Sequence, residues 1–120
     1  MIYALHEHEL KPQADEVLYN KEISNALGDL TIPGLLHAAH LKGIKGKRSS
    51  KYAILWIFES ETALMDNFGT PDNPKLPEKR LHYENNVLAP FLDRHPDTIN
   101  FTDYRILYST TVPCFNAKQP

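Results

Sequence analysis

The chain has 120 residues, a formal net charge of −2 and a single cysteine, Cys114. That length is one domain, able to bury roughly two-thirds of its unfolded surface with neither disulfides nor a metal. The charge balance argues against a general polyanion binder. The lone cysteine excludes a disulfide framework and fits a reducing compartment.

Ile2 to Leu10 reads as a first strand, with Ile2, Ala4, His6 and His8 on one face and Tyr3, Leu5 and Glu7 on the other. Pro12 suits a first helical turn, and Asp15 and Glu16 complement the positive end of the helix dipole. Tyr19, Ile23, Ala26 and Leu27 then share one helical side, and Gly28 is placed as a left-handed cap. Pro33-Gly34 is turn chemistry before a second strand over Leu35 to Lys42. Gly43, Gly46 and Ser49-Ser50 mark a hairpin into a third strand.

Tyr52 to Phe58 is apolar on both of its period-two faces, and its short length with Ile and aromatic enrichment favours a strand that is covered on both sides. Ser60 is an N-cap for a helix carrying Leu64, Met65 and Phe68, which Gly69 ends. Pro71, Pro74 and Pro77 predict an irregular excursion. A further helix is expected from about Glu78, with Leu81, Leu88, Phe91 and Leu92 on its buried side and Pro90 kinking or restarting it. Asn100 to Tyr108 reads as the last strand, and the tail from Val112 as a flexible arm or exchanged segment.

The order β-α-β-β-α-β predicts an α+β, ferredoxin-like domain over residues 1–110, with an insertion at about 70–80 and a tail over 111–120. With helices on one face only, the other is bare. Assigning Tyr52, Ile54, Trp56 and Phe58 to that bare face would leave more apolar surface in water than monomers usually expose. A second copy packed sheet to sheet removes the problem, so a homodimer is expected.

Pro33-Gly34, the run Trp56-Ile57-Phe58-Glu59-Ser60-Glu61-Thr62-Ala63-Leu64, and Asn67 with Thr70 resemble the dimeric α+β barrel superfamily, within it the antibiotic-biosynthesis-monooxygenase-like group. Many members carry a His near the position of Asn67. The resemblance implies a small-molecule pocket, for an aromatic or polyketide-like compound. For a catalytic member it implies cofactor-independent oxygenation or isomerisation. It does not by itself say whether this chain is an enzyme.

His6 and His8 share a strand face beside apolar residues and are the candidate catalytic groups, as acid/base or as orienting donors; the plain alternative is the exposed end of a strand. A metal needs a third ligand, which this topology does not bring next to them, so no metal and no cofactor are expected. Tyr52, Trp56, Phe58 and Tyr104 are candidate pocket walls, or else filling for the dimer core. Asn67 is a candidate donor at the pocket mouth, or a local helix-end hydrogen-bonder. His37 and His40 lie on opposite faces, so at most one reaches the cavity. His82 reads as solvated, and Arg105, facing away from Tyr104, as the partner of Asp103 or of a helix carboxylate.

Three functions compete. The leading one is the ligand-enclosing homodimer, and a non-catalytic binding or structural dimer is the second. The third is an RNA-recognition-like module, suggested by Tyr52, Tyr3 and the cations Lys42, Lys45, Lys47, Arg48 and Lys51. The missing glycine after the basic residue and the domain's charge disfavour nucleic acid. The chain shows no leader and no long apolar run, so a cytoplasmic protein without a membrane partner is expected.

Overall fold

The 52–58 strand is the spine of the sheet. In the computed structural model, which describes residues 1–70, 72–73, 82–92 and 99–107, it lies between two neighbours and pairs antiparallel with both. Numbered in chain order, the strands are β1 (Ile2–His8), β2 (Leu35–Lys42), β3 (Tyr52–Phe58) and β4 (Asn100–Arg105), in the sheet order β2-β3-β1-β4. The helices are α1 (Glu16–Asp29) and α2 (Glu61–Phe68). A π-helical segment, Tyr83–Leu88, passes into a 3-10 turn, Ala89–Phe91. This is the ferredoxin-like arrangement that the element order predicts.

Local chemistry sets the boundaries. Asp15 caps α1 by accepting from the Leu18 N–H, and Ser60 caps α2 by accepting from the Ala63 N–H at 3.1 Å. Gly69, at φ +78°, closes α2 with its N–H on the Met65 carbonyl. Gly28 is not a left-handed cap. It lies inside α1, which runs on to Asp29 and ends at an extended Leu30. Pro90 sits in the first turn of the 3-10 segment, where its missing N–H costs nothing, so the chain restarts there as expected.

β1 ends at His8 rather than Leu10, which forms an isolated bridge to Leu92. The Pro71, Pro74 and Pro77 excursion apart from residues 72–73, the helix start at Glu78 with Leu81, the end of the last strand at Tyr108, and the tail with Cys114 lie outside the described residues.

One expectation is reversed. Tyr52, Ile54, Trp56 and Phe58 do not form the bare face; they are buried under the helices with Tyr19, Ile23, Leu64, Tyr83 and Leu88. The face without helices carries the alternate set, Ala53, Leu55 and Ile57, of which Ala53 and Leu55 are half-buried and Ile57 is buried. In register beside it stand Tyr3 and Leu5 of β1, Ala39 and Leu41 of β2, and Thr102 and Tyr104 of β4. A strand apolar on both faces satisfies either orientation. The bulkier side chains go where α1, α2 and the π-helical segment interdigitate with them, and the smaller ones face outward. The face without helices still carries apolar side chains, with Leu41 and Tyr104 exposed among them.

Candidate functional site

The pairing of β1 with β3 sets Ala4 opposite Trp56, His6 opposite Ile54 and His8 opposite Tyr52, and β4 adds Phe101 beside His6. Both β1 histidines therefore point beneath the helices. There they line a small cavity, with room for about one water molecule, together with Ile54, Trp56 and Phe101. The π-helical segment closes it with Glu84 and Leu88, and Ile99 completes the wall. His6, His8 and Glu84 are all buried, which sets three polar side chains on an otherwise apolar wall.

The two histidines have different surroundings. His6 is ringed by aromatics, with Phe101, Phe68 and Trp56 at centroid distances of 4.6, 5.5 and 6.3 Å. Its Nε2 lies 3.9 Å from Asp103 Oδ1, a carboxylate exposed to solvent. His8 is 1% exposed, and its Nε2 lies 2.5 Å from the hydroxyl of Tyr19 on α1. Burial pushes its pKa down from 6.5 to about 4, and repulsion from His40 and Arg48 adds to the effect. His8 is thus a neutral imidazole near pH 7. The Tyr19 hydroxyl is pushed the other way, also chiefly by burial.

His40, on the helix side of β2, also reaches Tyr19, with Nε2 2.9 Å from the hydroxyl. A bulge between Leu35 and His37 sets the register of β2, placing His37 on the bare face and His40 under α1. Strand order makes His40 a poor direct partner for His8, and the two do not bond. Tyr19 spans the gap between them, a role that its apolar helical spacing did not reveal.

The other candidates lie elsewhere. Tyr104 is on the bare face, across the sheet from Trp56, so it does not share a pocket with it. Phe58 is core, packed on Phe68 at 5.1 Å. Tyr52 donates to Glu16 and stacks on His40, away from the cavity lining. Asn67 is a clamp: its Nδ2 donates to the Ala63 carbonyl at 2.8 Å and the Pro33 carbonyl at 2.9 Å, tying α2 to the turn before β2. Arg105 pairs with the helix carboxylate Glu61, and His82 is exposed beside Asn86. Glu84 carried no sequence signal, because its burial depends on the π-helical segment folding over β1.

The basic hairpin is largely neutralised. Arg48 meets Glu7 and Glu9 at 3.2 and 3.6 Å, Lys51 meets Glu9, and Lys42 meets Glu16. Tyr52 under the helices cannot stack a base, which removes a central support of the RNA reading. Among the described residues, no group of three His, Cys, Asp or Glu side chains is placed to hold a metal, and no helix is long and apolar enough to cross a membrane.

No protein-family model matches the chain, and no curated protein sequence does. Solved structures do. A dimeric ferredoxin-like protein of unknown function from Jannaschia sp. CCS1 superimposes with a TM-score of 0.63 at 19% identity, over 88% of this chain and 98% of that one. The haem-degrading MhuD of Mycobacterium tuberculosis, with two haems in its active site, gives 0.62 at 14% identity, over 92% and 100%. A Bacteroides thetaiotaomicron protein assigned as an antibiotic biosynthesis monooxygenase gives 0.57 at 18%, over 93% and 94%. The chain therefore has the ferredoxin-like fold of these dimeric and monooxygenase-like proteins, in line with the resemblance read from its sequence.

Proposed function

We propose that the chain forms a homodimer through its helix-free sheet face, and that the water-sized cavity beside His6 and His8 opens in each subunit to bind a small, largely apolar, enolisable or phenolic molecule. The observation that carries this reading is the placement of two buried imidazoles and a carboxyl group on one apolar cavity wall. A buried neutral imidazole is an acceptor for a weakly acidic proton, and an apolar wall selects an aromatic or polyketide-like skeleton. The chemistry these groups support is proton transfer, as in an isomerase or in the deprotonation step of a cofactor-free monooxygenase.

Haem does not fit. The cavity has room for about one water molecule, far below the roughly 300–1,000 Å³ of drug-sized sites, and His8 Nε2 is already engaged by Tyr19.

The test is hydrogen–deuterium exchange at the acidic carbon of a panel of aromatic ketones and 1,3-diketones, followed by proton NMR. The expected result is exchange faster than in buffer by about a hundredfold or more for at least one compound, lost in His6→Ala or His8→Ala. No acceleration across the panel would contradict the catalytic reading.

A further inference from the structure

The Tyr19 hydroxyl, on a fully buried ring, touches imidazoles from two strands that are not neighbours: His8 Nε2 at 2.5 Å and His40 Nε2 at 2.9 Å. A phenol has one proton to give, and a neutral imidazole carries its proton on one nitrogen only. Tyr19 therefore donates to one Nε2 and accepts from the N–H of the other. Moving both protons one step along the line would by itself leave His8 an imidazolate and His40 an imidazolium, so the line conducts only when His8, protonated on Nε2, gains a proton on its other nitrogen at the same time. The ends of this line meet different surroundings. His8 lines the cavity, whereas His40 is half-buried at the outer part of the sheet, its ring stacked on Tyr52 at 5.5 Å.

We propose that His8, Tyr19 and His40 form a proton relay between an occupant of the cavity and the solvent-facing edge of β2. The proton leaves the occupant for the His8 ring nitrogen turned away from Tyr19. His8 passes its Nε2 proton to the Tyr19 oxygen, and Tyr19 passes its own to His40 Nε2. The occupant is left as its conjugate base, His8 and Tyr19 are neutral again, and His40 holds the extra proton for release to water. The chemical class is a weak C–H or O–H acid beside a carbonyl. The inference rests on the proposed function for that occupant, but the relay itself rests only on the three side chains.

The groups that face the relay are His6 on its own strand, Arg48 from the hairpin, Tyr52 from β3, and Tyr83 and Glu84 from the π-helical segment. Glu16 and Lys42 reach it through Tyr52. Tyr19 is a positioning residue, and replacing its hydroxyl would leave the cavity wall in place.

Imidazole nitrogen NMR on the full chain, labelled at histidine and free of ligand, tests this from about pH 8 to about pH 4. The expected result is a proton on His8 Nε2 and none on His40 Nε2 at about pH 8, with protonation of His40 shifting the His8 resonances in step. Tyr19→Phe should abolish that coupling. Should Tyr19→Phe not fold, His40→Gln should change the tautomer balance of His8. Equal or reversed Nε2 states, independent titration in the wild type, coupling that survives Tyr19→Phe, or a His8 tautomer indifferent to His40→Gln would each overturn the relay. None of these outcomes bears on whether the cavity binds a ligand, and a cavity that binds none of the panel leaves these resonances unchanged.

Discussion

A Cβ built on Gly34 would stand 2.5 Å from the Cβ of Ala63, closer than two carbon atoms can approach. Gly34 also holds φ +79°, and its carbonyl accepts from the Glu59 N–H at the end of β3. The Pro33-Gly34 turn is therefore a seat for the first turn of α2. Gly34→Ala should destabilise the fold by about 2 kcal/mol or more, from left-handed backbone strain plus overlap. The double variant with Ala63→Gly should recover the overlap but not the backbone part, read from urea midpoints.

Asn67→Ala leaves two backbone carbonyls without their donor and should cost about 1–3 kcal/mol of stability. Because the clamp lies outside the cavity lining, ligand affinity of the folded protein should not change. A loss of affinity at unchanged stability would return Asn67 to the binding site.

Stability should depend on pH in a defined window. The folded pKa of His8 is about 4, against 6.5 for a free imidazole, so between these values the unfolded chain binds a proton that the folded one refuses. The stabilisation is complete above pH 6.5 and is lost as pH falls toward 4, amounting to about 3 kcal/mol for His8 alone. His40, also lowered by burial, acts in the same direction. Denaturant midpoints at several pH values should show this slope, and His8→Gln should flatten it.

The bare sheet face should hold two copies together. Leu55→Lys puts a charge at the centre of that face, where it points away from the helices. Light scattering should give twice the chain mass for the wild type and a folded monomer for the variant. A wild-type monomer at micromolar concentration would contradict the dimer.

The strand and helix order was legible because each element carried its own local signal, such as Ser60 and Gly69 bracketing α2. The sidedness of the sheet was not. Period-two alternation separates the two faces of β3 but does not say which the helices take when both are apolar, and that choice moved Trp56 indoors and Tyr104 out. The pairing of His6 with His8 on one face was readable from spacing alone. Tyr19 between His8 and His40 was not, since it joins three elements whose relative placement only the sheet order supplies. Asn67 was readable as two alternatives, and its hydrogen bonds to the carbonyls of Ala63 and Pro33 favour the structural one.

The most direct test of the account is a methyl NMR titration with phenol as a small weakly acidic probe. The account predicts that the methyls of Ile54 and Leu88, on the cavity wall, shift while those of Leu55 and Leu41, on the bare face, do not. Shifts confined to Leu55 and Leu41 would place binding on the wrong side of the sheet and contradict it.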